Sequence, residues 1–216
     1  MQLTYIKKVL AVHPNYLFRT AILDRLHRIW SLPSAQNDQY ILVGLIREGQ
    51  LELALAGVKE MHQKNIQVAQ WIYSLLMYKL CEAQDFDAVL QVMYLLNDWN
   101  KELPTQAWHY ILDKASEGLH VDTTSTIWRT HVEPKYINPS SGLCQNVLLT
   151  AARSGDVRLA TSVIKTVVSR QGFPTALELD LLEEACSSAA DPRGIADVKQ
   201  LRAQANLAII QKLVGK

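Results

Sequence analysis

The sequence predicts an all-α protein, an α-solenoid of helix-turn-helix repeats of about 35 residues. Three observations predict it. A turn followed by an apolar helix recurs: Gly49 precedes Gln-Leu-Glu-Leu-Ala-Leu, and 35 residues on Gln84 precedes Asp-Phe-Asp-Ala-Val-Leu. Leu119 follows after another 35 and Gly155 after a further 36, each with an apolar residue, Val121 or Val157, where Leu51 and Phe86 stand. Every periodic segment repeats near 3.6 residues and none alternates at two, which sets the expectation at about 11–13 helices and no sheet. A unit this short cannot bury an apolar face alone, so its copies must stack.

The elements follow in order. Leu3–Val12 reads as a helix stopped by His13-Pro14-Asn15, and Tyr16–Trp30 as its partner, ended at Pro33 because proline cannot continue a helix. Residues 1–35 are thus a degenerate helix pair. The clearest unit is Gln36–Gln70, its first helix running from an Asp38 N-cap to Arg47. Gly49 turns the chain, and the second helix, Leu51–Lys64, places Leu51, Ala54, Leu55, Val58 and Met61 on one stripe. Ala54 and Gly57 are small there, which lets the paired helices approach closely. Trp71–Thr105 repeats the scheme, followed by Gln106–Ser141 and Gly142–Thr175. Residues 176–216 read as a last degenerate pair, Leu177–Ser187 and Ile195–Ala205, with a separate capping helix near Leu207–Val214. Leu51, Leu55, Met61, Phe86, Leu90, Val157 and Ala160 are expected between helices. The connectors are short and end in proline, so residues 1–216 read as one domain with four full repeats over 36–175.

Charge narrows the partners. The formal net charge is +1, which gives no global attraction to polyanions or membranes. Residues 1–35 carry five bases and one acid, residues 142–175 four bases and one acid, and the middle thirteen acids and eight bases. The longest apolar runs fall short of the roughly 20 residues needed to span a bilayer. Cys81, Cys144 and Cys186 are odd in number and far apart, as buried free thiols of a reducing compartment are. The first 23 residues hold no acid, as transit peptides do, but Leu3, Ile6 and Leu10 suit a core-facing helix; any presequence is expected to lie outside this chain.

No catalytic constellation is present. The six histidines are scattered, without a His-Glu-x-x-His helix, a Cys-x-x-Cys pair, a Gly-rich phosphate loop or a Gly-x-Ser-x-Gly elbow. His120 and His131 flank Trp128 without a metal-binding partner set. The chain reads as a binding protein with no cofactor, metal or small-molecule substrate.

The stretch from Tyr40 to Ile66, with Gly49, Leu51, Ala54-Leu55 and Met61, resembles a pentatricopeptide repeat. Leu80-Cys81-Glu82-Ala83 before Gln84 resembles the family's Leu-Cys-Lys-Ala-Gly, and Asn138-Pro139 and Phe173-Pro174 resemble its closing Lys-Pro-Asp. Tetratricopeptide repeats share the period but open on a Trp-x-x-Leu-Gly-x-x-Tyr pattern that this chain lacks. The resemblance implies a right-handed α-solenoid of organellar RNA metabolism in the mitochondrial matrix, binding single-stranded RNA, whether messenger or ribosomal. It also implies readers, since each such repeat contacts one base through two or three side chains. Carried over by position, these are Gln39, Ser74, His109 and Gln145 early in the first helices, with companions at Ala69, Pro104 or Thr105, Ser140 and Thr175. Lys79 and Lys114 lie farther down the same helices, where phosphates would pass. Trp30, Trp71, Trp108 and Trp128 offer rings either for stacking on bases or for packing between repeats. Only Ser74 matches the family's usual Asn, Ser or Thr at the reader position. The second reading is therefore a scaffold gripping a protein partner, such as a mitochondrial ribosome component or a respiratory-complex assembly factor.

Overall fold

The computed structural model describes residues 35–214 and, before them, residues 9, 15, 17–19, 21, 22 and 25. Among these residues there are only helices and turns. They comprise α1 (Ala35–Arg47), α2 (Leu51–Gln63), α3 (Gln70–Glu82), α4 (Phe86–Asp98), α5 (Thr105–Glu117), α6 (Val121–Ile127), a π turn (Trp128–Val132), α7 (Ser141–Ser154), α8 (Val157–Gln171), α9 (Ala176–Ser188) and α10 (Pro192–Val214). The chain divides into two compact units, residues 1–107 and 108–216. Of the helices expected in residues 1–35, Leu3–Val12 lies almost wholly outside the described residues; residues 17–19, 21, 22 and 25 of the second are helical.

In the first unit α1 packs on α2, α3 on α4, first helix on first helix (α1 on α3), and second on second (α2 on α4). In the second unit α7 packs on α8 and α9 on α10, with α7 against α9. This is the all-α helical-repeat fold that the sequence predicts. Its register is written in the backbone. Gly49, Gln84, Leu119, Gly155 and Ala190 all have positive φ, between 52° and 73°, at intervals of 35, 35, 36 and 35 residues. At each, the next residue's N–H donates to the carbonyl five positions back: Gln50 to Leu45, Asp85 to Leu80, His120 to Ala115, Asp156 to Ala151 and Asp191 to Cys186, at 2.9–3.0 Å. That is the left-handed helix stop, which satisfies carbonyls the helix leaves open. The fifth copy, at Ala190, was invisible in the sequence because nothing but alanine marks it. Second helices end the same way, with positive φ at Asn65, Asn100 and Lys135.

A non-glycine residue in this conformation costs about 1–2 kcal/mol, against about 0.5–1 kcal/mol of extra chain entropy for glycine. Ala190 is exposed, so Ala190→Gly removes strain without losing contacts and should stabilise the second unit by roughly 0.5–1 kcal/mol. A urea titration that shows a loss instead would mean that the turn is not left-handed.

Packing confirms the close approach at Gly57, where a Cβ would come within 2.6 Å of Leu42 Cδ2; Ala54 beside it is fully buried. Leu55, Met61, Phe86 and Ala160 are buried as expected. Leu51, Leu90 and Val157 are only half-buried, a correction. In α4 the buried stripe is Phe86, Val89, Val92, Met93 and Leu96, so Leu90 falls one residue, about 100° of helix, off its centre. Two boundaries also differ. Helix α1 begins at Ala35, which puts Asp38 inside the helix and not at its cap. The separate capping helix does not exist: α10 runs unbroken for 23 residues, because after Pro192 at its first position nothing from Ile195 to Val214 breaks a helix.

The third repeat is the irregular one. Its second helix has a seven-residue α segment rich in threonine and serine, of poor helix propensity, then widens into the π turn. That turn carries Trp128, fully buried, whose Nε1 donates to Ser162 Oγ of α8 at 3.0 Å.

Candidate nucleic-acid interface

In the first unit the solvent side of α3 carries Trp71, Ser74, Tyr78 and Lys79, spaced at helical intervals. Trp71 is 54% exposed, an unusual position for a residue whose ring gains so much from burial. Ser74 is half-buried, and its hydroxyl donates to the Gln70 carbonyl at a long 3.4 Å. Lys79 forms an ion pair with Glu82 at 2.6 Å. Gln39, on the neighbouring α1, has its amide committed. Nε2 donates to the Gln67 carbonyl at 2.9 Å and Oε1 accepts from Ala69 N–H at 3.1 Å, so the side chain fastens the inter-repeat linker. Gln39 and Ser74 thus sit on adjacent first helices, one engaged by backbone and one open to solvent on one side.

In the second unit His109 on α5 and Gln145 on α7 are half-buried, and the Thr150 hydroxyl ties these two first helices by donating to the Ser116 carbonyl at 3.0 Å. Lys114 repeats the pattern of Lys79, paired with Glu117 at 2.6 Å. The hydrogen bond and charge of Glu117 raise the Lys114 pKa above the ordinary lysine range. The companion positions double as helix caps. Ser140 Oγ accepts from Leu143 N–H, and Thr175 forms a capping box with Glu178, its hydroxyl accepting from the Glu178 N–H and donating to Glu178 Oε2. Their side chains are already used by the ends of α7 and α9.

The tryptophans separate cleanly. Trp108 and Trp128 are buried and therefore cannot stack on a base; Trp108 packs on the His131 ring, centroids 4.2 Å apart. Trp30 lies outside the described residues. His120 is a cap, its Nδ1 accepting from Thr123 N–H at 3.3 Å, which puts its ring proton on Nε2 when neutral. The three cysteines are buried and free; burial pushes the Cys144 thiol up to about 11, with Glu178 adding to the effect and Arg170 opposing it. Among the described residues no group of His, Cys, Asp and Glu could hold a metal ion, and no helix is long and apolar enough to cross a membrane.

Residues 141–211 match the family model of the pentatricopeptide repeat-containing proteins. Over that stretch the chain is similar to pentatricopeptide repeats. The match falls on α7 to α10, so it includes the last pair, which by sequence alone reads as degenerate; the left-handed turn at Ala190 restores it to the series. Among solved structures, the chain is similar to the pentatricopeptide repeat protein PPR10 from maize, at 12% identity and a TM-score of 0.48, covering 92% of this chain and 29% of that one. It is also similar to PPR10 in complex with an 18-nt psaJ RNA element, at 14% identity and a TM-score of 0.47, covering 84% of this chain and 26% of that one. The chain therefore spans less than a third of the protein it resembles. A comparison with curated proteins gives no match.

Proposed function

We propose that this chain binds single-stranded RNA through the exposed face of its first helices, as a mitochondrial helical-repeat protein that acts on the processing, stability or translation of a transcript. The observation that carries the reading is Trp71, held in solvent one turn before Ser74 and two turns before Lys79, in a repeat that resembles the pentatricopeptide repeat. An exposed indole is a surface on which any base can stack, worth about 1–3 kcal/mol per base. Base-specific reading is not the main source of affinity here, since Gln39, Ser140 and Thr175 are spent on the protein's own backbone. Lys79 and Lys114 supply phosphate contacts in competition with Glu82 and Glu117.

A mobility-shift or filter assay against a mixed single-stranded RNA pool at two salt concentrations tests this. Trp71→Ala should weaken binding roughly 5- to 150-fold, the equivalent of one stacked base. Lys79→Glu with Lys114→Glu should weaken it further and flatten the salt dependence, which runs near −0.7 per phosphate contact for single strands. Exposed ion pairs of this kind contribute little to stability, so the variants stay folded. A Trp71→Ala protein that binds like its parent removes the stacking surface from the proposal.

The second reading is a scaffold for a protein partner, such as a ribosome component or an assembly factor. It is favoured by the same two ion pairs, which leave the first-helix lysines largely neutralised. It takes over if the parent binds no RNA at low salt.

A further inference from the structure

The outward face of α8 lies on the second-helix side of its repeat and plays no part in the reading above. Together with Glu133, which follows the π turn, it forms a groove of about 610 Å³. Arg158, Thr161, Lys165 and Ser169 line it from α8. Its two walls are tied by a hydrogen-bonded chain: Trp128 Nε1 donates to Ser162 Oγ at 3.0 Å, and Ser162 Oγ donates to Glu133 Oε1 at 2.5 Å.

The groove differs from the first-helix face in its cations. Lys79 and Lys114 each hold a carboxylate at 2.6 Å. Arg158 and Lys165 are exposed and, among the described residues, have neither an ion pair nor a hydrogen bond. Helix α8 contains three bases and no acid over its whole length, Val157–Gln171. The one carboxylate in the groove, Glu133, is engaged by Ser162. Arg158 and Lys165 lie seven residues apart, hence about 10.5 Å along the helix and within roughly 20° of the same line. A single small anion cannot touch both without drawing the side chains together, whereas a chain of phosphates reaches from one to the other. Arginine offers a fork that matches phosphate oxygens, and lysine a point charge.

We propose that this groove is a phosphate-binding site for a chain of two or more phosphates, with Arg158 and Lys165 as its cations and the Thr161 hydroxyl between them as a donor. The phosphates come either from a polynucleotide backbone or from a free polyphosphate such as that of a nucleotide. The polynucleotide form rests on the RNA reading above; the free form does not. The proposal concerns the phosphates alone and assigns the groove no base preference.

Calorimetric titration of the full chain with inorganic tripolyphosphate, and separately with a uridine 20-mer, tests it, with sulfate at matched ionic strength as the control. The expected result is that tripolyphosphate binds where sulfate does not. Arg158→Gln with Lys165→Gln should lower that affinity at least tenfold, Lys79→Gln with Lys114→Gln should leave it unchanged, and Glu133→Gln should raise it. For the uridine 20-mer the groove variant should reduce the salt slope by about 1.4, two contacts at about 0.7 each. Binding of tripolyphosphate without binding of RNA keeps the groove, assigns it to a free polyphosphate and ends the RNA reading. RNA binding that the groove variant does not alter, with no response to tripolyphosphate, overturns the groove and leaves the RNA reading in place. Equal binding by parent and groove variant in both titrations overturns it as well.

Discussion

Trp128→Ala should destabilise the second unit by about 3–5 kcal/mol, the usual loss for emptying a buried tryptophan site. Trp128 is the largest side chain among the fully buried residues, and it sits where the second helix of the third repeat widens into the π turn. A π turn is intrinsically poor helix, so this segment owes its shape to what it packs against. The indole supplies that packing and also a directional bond to Ser162 on α8. Trp128→Phe separates the two contributions: it keeps most of the apolar contact and loses the donor, at about 0.5–1.5 kcal/mol for the hydrogen bond plus a smaller cavity. Urea unfolding followed by far-ultraviolet circular dichroism reads both. If the two units unfold separately, the shift belongs to the transition of residues 108–216 alone. A loss under about 1 kcal/mol for the alanine variant would mean that the π turn is not held by its tryptophan. The same substitution loosens the wall of the groove, since Ser162 then keeps only Glu133.

The repeat was legible because its punctuation is physical. A helix that must stop and reverse needs a residue with positive φ, and the sequence shows this plainly at Gly49 and Gly155. At Gln84 and Leu119 the residue type is uninformative, and only the 35-residue spacing exposed the turn. At Ala190 neither the residue nor an apolar run after it marked the place. The π turn had no signal at all, because a run of threonine and serine before a tryptophan suits a frayed helix equally well. Register within a helix was legible to about one residue, which is enough to find the stripe of α4 but not enough to tell Leu90 from Val89.

The candidate site was legible in position and illegible in commitment. Counting by 35 from Trp71 arrives at Gln106, not at Trp108; Trp108 matches Tyr73, which is fully buried. The same arithmetic, applied to the aromatics, would have separated the exposed ring from the buried one. Lys79 with Glu82 and Lys114 with Glu117 stand three residues apart on their helices, a spacing at which neighbours meet, so both ion pairs were readable too. The engagement of the Gln39 amide by Gln67 and Ala69 was not readable. It depends on how closely the next linker passes over α1, and no pattern in one helix encodes that distance. Nothing in the sequence around Arg158 and Lys165 separates them from other exposed charges, and only the groove beside them distinguishes them.

Glu48→Ala should cost the first unit about 3–5 kcal/mol, the loss typical of a buried ion pair stripped of one partner. The Arg19 side chain is 0% exposed, and its guanidinium meets Glu48 as a fork, at 2.6 Å and 2.9 Å. By charge count Arg19 belongs to the basic segment 1–35, which suggested a cationic end for a polyanion. The structure assigns that charge elsewhere: it anchors its helix, begun at Asn15, whose side chain accepts from Phe18 N–H at 3.0 Å, to the first repeat turn. Removing the carboxylate takes the Glu48 fork from a guanidinium sealed from water, whereas replacing both residues removes the buried charge as well. Arg19→Met with Glu48→Leu should therefore be closer to the parent in stability than Glu48→Ala is, a non-additivity that a double-mutant cycle measures directly. Equal losses for Glu48→Ala and the double variant would mean that the pair contributes by volume alone. In the RNA assay the double variant should keep the parent's salt slope, because a guanidinium already bound to Glu48 releases no counterions when RNA arrives. A reduced slope would return Arg19 to the binding surface and would show that the ion pair opens in solution.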